Sequence, residues 1–84
     1  MDPDRIKAKV QEAMPEAQIS VQGDGRHFDV VVVSSEFEGL PKVKQHRRVY
    51  SALDEDLQGD LHAVQLKTFT PEQYQQMIQA NNPD

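Results

Sequence analysis

The sequence contains no cysteine and no tryptophan. Without cysteine there is no disulfide, no thiolate nucleophile and no thiolate to hold a metal. Aromatic residues are few, three Phe and two Tyr, so the core must be built mainly from Val, Leu, Ile and Ala. No apolar run approaches the roughly 20 residues of a membrane span. The opening MDPDRIKAKV carries no apolar signal core. A basic surplus is missing too. The formal net charge is −5, which speaks against a protein that binds nucleic acid chiefly through electrostatics. No phosphate-cradling Gly-rich loop and no zinc-ligand spacing occurs. These absences point to a soluble, cytoplasmic chain, not associated with a membrane. Its length fits a single small domain over residues 1–84.

What is present is an ordered series of short elements. Asp2 and Pro3 read as an N-cap and first helical residue. Ile6, Val10, Ala13 and Met14 follow helical spacing until Pro15 stops the helix. Residues 17–22 alternate, with Ala17, Ile19 and Val21 on one side, and predict a strand with one wet face. The GDG of residues 23–25 is a turn signal. His27 to Ser34 is β-branched and nearly continuous, which predicts a central strand covered on both faces. Ser35 and Glu38 stand at capping-box spacing, but Gly39 and Pro41 allow only a turn or a single helical turn. A longer helix is expected from Pro41 to about Leu57, with Val43, Val49, Tyr50, Leu53 and Leu57 inward and a possible break near Ser51. Gly59 ends it. Leu61 to Phe69 reads as a third strand. Thr70, Pro71 and Gln73 then supply an N-cap, a first-turn proline and a capping-box partner. The last helix should bury Tyr74, Met77 and Ile78, and residues 81–84 read as a frayed tail.

The order is helix, strand, strand, helix, strand, helix, an α+β arrangement. A strand, a helix and another strand form a crossover, which favours parallel pairing of the second and third strands. If these are neighbours, both begin at the same end of a three-stranded mixed sheet. His27 starts one and His62 opens the other. Adjacent strands lie about 5 Å apart, so two histidines in comparable register could reach one shared ion or cluster. Read alone, His27 is a solvent-facing strand residue and His62 a partly buried ring bonded to backbone.

The stretches FEGLPKVKQHRRVYSAL (37–53) and LHAVQLKTFTPEQY (61–74) resemble the BolA family. The matching features are Phe37 and Gly39; Val43, His46, Arg47, Val49 and Tyr50; His62 with Ala63; and Thr70, Pro71 and Glu72. GDGRHF (23–28) resembles the bacterial YrbA/IbaG branch. The resemblance implies an αββαβα domain similar to class II KH domains. It also implies a monothiol glutaredoxin partner in a heterodimer. The two proteins would share a 2Fe–2S cluster, with glutathione completing the site. His62 of the HA motif would be a ligand and His27, in the loop between the first two strands, the second. The family often carries Trp where this chain has Tyr74.

The donor chemistry agrees with a shared site. Clusters are usually held by thiolates, and histidine pairs replace them on one iron in some centres. This chain can supply only the imidazole side, so no cluster is expected in the isolated chain, which should be a monomer or a weak homodimer. Imidazole ligands would make the cluster more oxidising than an all-thiolate one and weaken its retention in mild acid. Lys42, Lys44, His46, Arg47 and Arg48 form a basic stretch in an acidic chain. It reads as a solvated helix face, as a docking surface for an acidic partner, or as a contact for DNA in a transcriptional regulator. The loop at residues 38–42 stands where a KH domain clamps RNA, but it has one glycine and begins with Glu38, which repels phosphate. Asp54, Glu55 and Asp56 fan around a helix rather than converge, and no catalytic triad spacing is recognisable. The chain reads as a non-enzymatic adaptor in iron–sulfur trafficking or iron homeostasis, with DNA-binding regulation as the second reading.

Overall fold

The structure is a computed structural model that describes residues 3–24, 26–53 and 64–80. Helix α1 (Pro3–Ala13) leads into strand β1 (Gln18–Gly23), which turns back into β2 (Phe28–Val33). A single 3-10 turn (Ser35–Phe37) precedes helix α2 (Lys42–Leu53). Strand β3 (Val64–Phe69) and helix α3 (Pro71–Ala80) follow. The sheet order is β1–β2–β3. β1 and β2 are antiparallel, with Gln18 opposite Val33 and Gly23 opposite Phe28. β2 and β3 are parallel, with Phe28 beside Val64 and Val33 beside Phe69. The crossover expected from the element order is therefore present, and the two strands are neighbours that start at one end of the sheet.

One face of the sheet is covered by α1 and α2. Ala17, Ile19, Phe28, Val30, Val32, Val64 and Leu66 meet Ile6, Val10 and Met14 of the first helical segment and Val49 and Leu53 of α2, with Phe37 completing the core. The alternation read in β1 holds, and Val21 is half-buried against the same core. In β2 the expectation of cover on both faces fails. Asp29 is exposed and Val31 only half-buried, because no helix lies squarely over the opposite face. α3 has no buried residue, and Ile78 is 43% exposed. The stripe expected to bury Tyr74, Met77 and Ile78 instead leans on the sheet margin, where the Tyr74 and Phe69 rings stand 5.9 Å apart.

Helix α2 departs from its expected face. Val43 is 67% exposed, while Gln45, Val49 and Leu53 are buried. These three recur every four residues along one side. Val43 lies two positions from Gln45, about 200° around the helix. Gln45 is tolerated inside because its amide is saturated. Nε2 donates to the carbonyl oxygens of Phe37 (3.3 Å) and Leu40 (2.8 Å), and Oε1 accepts from the Thr68 hydroxyl at 2.8 Å. One polar side chain thereby ties the turn before α2 to β3. The cap of the 3-10 turn is Ser34 rather than Ser35, with the Glu36 N–H donating to Ser34 Oγ at 3.0 Å. Gly39 has φ +79°, a conformation that a side chain would strain. The capping box at α3 forms as read: the Gln73 N–H donates to Thr70 Oγ1 and the Thr70 N–H donates to Gln73 Oε1, both at 3.1 Å. The expected cap at Asp2, the continuation of α2 to Leu57, the strand start at Leu61 and the tail at 81–84 fall outside the described residues.

Candidate functional site

The β1–β2 turn holds His27 by backbone chemistry. The Asp24 carboxylate accepts hydrogen bonds from the N–H groups of Arg26 and His27, each at 2.9 Å. The Asp24 N–H donates to the His27 carbonyl at 3.2 Å. The His27 and Arg26 donors hold the Asp24 carboxyl below its ordinary value. Gly23 is obligatory on steric grounds. A Cβ there would lie 2.4 Å from the Phe28 ring and 2.8 Å from the His27 carbonyl oxygen. Phe28 is buried, so its ring cannot swing away. His27 thus precedes β2 instead of belonging to it, and its side chain is exposed. No hydrogen bond engages its ring among the described residues. The imidazole is presented outward beside the Asp24 hydrogen bonds.

His62 lies outside the described residues. The neighbouring frame is described: β3 begins at Val64, directly beside Phe28. Among the described residues, no three His, Cys, Asp or Glu side chains converge as a metal site. With no cysteine in the sequence, the nitrogen donors a metal could find here are imidazoles, and the chain offers no thiolate.

The basic stretch divides. Lys42 stays exposed but is tied to β3: its ammonium donates to the Thr68 carbonyl oxygen and stands 4.9 Å from the centre of the Phe69 ring. Arg48 is tied as well, donating to the Ala13 carbonyl at 2.9 Å and lying 3.6 Å from Glu36. Lys44 and Arg47 remain exposed. His46 is half-buried, edge-on to Tyr50 with ring centroids 6.4 Å apart. Burial, and then the Lys42 charge, hold its imidazole below the ordinary value. Exposed Leu40 and Val43 add an apolar centre beside Lys44 and Arg47. The hydropathy pattern places Val43 in the core, and the structure exposes it. In the loop before α2, the N–H groups of Glu38 and Leu40 already donate to the Ser35 and Phe37 carbonyls. Those two donors are unavailable to a phosphate backbone of the kind a KH clamp holds.

Comparisons with known proteins agree with this frame. A family profile described as BolA-like protein matches residues 4–73. The acid stress protein IbaG of Escherichia coli K12 is 33% identical over 75 residues, covering 88% of this chain and 89% of that one. The DNA-binding transcriptional regulator BolA of Haemophilus influenzae is 42% identical over 55 residues, covering 66% of this chain and 53% of that one. The chain spans about half the length of the first curated relatives it matches. A bolA protein homologue from Coxiella burnetii has the same fold, with a TM-score of 0.77, 39% identity, and coverage of 89% of this chain and 97% of that one. Among the described residues no helix is long and apolar enough to cross a membrane. Sequence, fold and profile converge: the chain belongs to the BolA-like family.

Proposed function

We propose that the protein is a non-enzymatic adaptor that binds a monothiol glutaredoxin and lends imidazole ligands to a 2Fe–2S cluster shared with that partner and glutathione. The observation that carries this reading is the parallel register of β2 and β3, with Phe28 beside Val64, at the end of the sheet where His27 is exposed and unengaged. Covalent geometry keeps any residue two positions from Val64 within about 7 Å of it. His62 precedes Val64 by two residues in the sequence, which supports a pairing with His27. A cluster so held is cargo, and it brings one-electron chemistry with it. This chain's own residues position it: Asp24 and Gly23 set the turn, and the buried Phe28 and Val64 anchor the two strand starts. The exposed face of Leu40, Val43, Lys44 and Arg47 is the docking surface, an apolar centre with a basic rim suited to an acidic partner.

Reconstitution with iron, sulfide, glutathione and a monothiol glutaredoxin, followed by visible circular dichroism, tests the reading. His62→Ala and His27→Ala should each alter or abolish the cluster spectrum. A spectrum unchanged by His62→Ala overturns it. The name of the Haemophilus influenzae relative favours a second reading, DNA binding through α2. With Lys42 tied to Thr68 and Arg48 to Ala13 and Glu36, it would rest on Lys44 and Arg47. A near-zero dependence of affinity on salt, for specific and random DNA alike, would remove it.

A further inference from the structure

The end of β2 far from the His27 turn carries a polar junction that the adaptor reading does not use. Ser34 follows the strand there and is 2% exposed. Its N–H donates to the Phe69 carbonyl at 3.0 Å. Its hydroxyl serves two turns at once: Oγ accepts the Glu36 N–H at 3.0 Å and donates to Glu16 Oε1 at 3.2 Å. Glu16 lies in the turn before β1, and Glu36 in the 3-10 turn before α2. One buried oxygen thus gathers two carboxyl-bearing residues that are distant in the sequence.

The two carboxyls stand within hydrogen-bonding reach of each other. An ionised carboxylate only accepts, so two ionised ones cannot bond. Their contact closes only when one of them carries a proton. Ser34 cannot stand in for it, because its single hydroxyl hydrogen is already directed to Glu16. The groups that face the pair leave its charge unbalanced. α2 contributes the Arg48 guanidinium, 3.6 Å from Glu36, which also donates to the Ala13 carbonyl of α1 at 2.9 Å. β1 contributes Gln18, and α3 contributes Pro71, Tyr74 and Gln75, around a cavity of about 170 Å³ beside Glu16 and Ser34. None of these four is charged at neutral pH. A single cation therefore faces two carboxylates.

We propose that Glu16 and Glu36 act as a proton-operated brace, in which one shared proton ties the turn before β1 to the turn before α2. The proton resides on Glu36 and is donated to Glu16. The Glu16 side chain pushes the Glu36 carboxyl above its ordinary value of 4.5. The Glu16 carboxyl is held below that value by its own N–H, and then by the Glu36 side chain. A raised carboxyl stabilises below its unfolded value and ceases to do so as pH rises through its folded value. The brace is closed in mild acid and open at neutral pH. The turn it holds runs through Phe37 to the exposed Leu40 and Val43, so the proton sets how firmly that face is anchored to the sheet.

Carbon-13 NMR of the side-chain carboxyls in the full chain, titrated from about pH 8 to about pH 2, reads the brace directly. Glu36 should titrate above 4.5 and Glu16 below it. Each curve should bend again at the other's midpoint, as coupled groups do. The Glu36 amide, bonded to Ser34, should shift with the upper midpoint. Glu16→Ala should bring Glu36 to 4.5 or below and abolish the second inflection. Arg48→Gln should move the Glu36 midpoint further up, because the opposing cation is gone. Far-ultraviolet circular dichroism confirms that each variant is folded. A urea double-mutant cycle over Glu16→Ala and Glu36→Ala adds a readout that a merely structural contact would not move. The coupling should be unfavourable at about pH 7 and favourable below the Glu36 midpoint. Independent titration of the two carboxyls, a wild-type Glu36 midpoint at or below 4.5, or a coupling of one sign at both pH values would overturn the proposal.

Discussion

Gly23 shows how a single hydrogen atom can decide a local structure. Alanine there drives a methyl into a buried ring and a backbone oxygen. Gly23→Ala should lower stability by about 1–3 kcal/mol, seen as a lower urea midpoint at unchanged slope. Asp24 acts through charge. Its carboxyl is held below the usual range by the N–H donors of His27 and Arg26. A depressed carboxyl stabilises above its unfolded value and ceases to do so as pH falls through its folded value. Asp24→Ala should therefore lower the urea midpoint at neutral pH, and the gap to wild type should close by about pH 2. His46 has the opposite charge type and its pKa is also depressed. Folding disfavours its protonated form, so below the ordinary value of 6.5 the unfolded chain binds more protons. Stability should rise with pH up to about that value and then level off. His46→Gln should flatten that limb between about pH 5 and 7. An unchanged slope would show that His46 does not set it.

At the scale of elements, the Gln45–Thr68 bond links α2 to β3. Thr68→Val keeps the volume but leaves a buried amide oxygen without its donor, at about 1–3 kcal/mol. Val43→Asp should change stability by less than about 0.5 kcal/mol while weakening capture of the apo glutaredoxin, measured by calorimetry. The element order, the crossover, the α3 capping box and the first helix face were all legible in the sequence. Each rests on periodicity or on local side-chain chemistry. The face of α2 was not. Hydropathy assigns Val43 inward and Gln45 outward, and only a partner from β3, distant in the chain, reverses that choice. The two-sided cover of β2 failed for a related reason. A run of valines records β-propensity as well as burial, and α3 packs at the margin instead of across the face.

For the whole molecule, the frame of the candidate site was legible: β2 and β3 are parallel neighbours and His27 is exposed at their start, while His62 lies outside the described residues. The fate of the basic stretch was not, because Lys42 and Arg48 find their partners in distant segments. The division into tied and free cations matters to the balance of functions. With a net charge of −5 and two basic side chains already tied to the fold, any affinity for DNA should be weak, with a slope of log affinity against log salt of about −2 for the two remaining cations. Docking on a protein centred on Val43 should keep its apolar part in the same salt and lose only what the Lys44 and Arg47 rim contributes. Titrating salt in both assays separates a regulator from an adaptor. The sheet register also bears on how the molecule comes together. The β1–β2 hairpin closes through a few residues as soon as both strands exist. The parallel partner of β2 arrives only after a helix has intervened, and closing that long loop carries more entropy. During synthesis from the N-terminus the hairpin waits with β2 open on one side, and the strand that completes the sheet also completes the end where His27 stands. Pulse-labelled hydrogen exchange should find the hairpin amides protected before those of β3. The end proposed to hold cargo would be the last part of the sheet to exist.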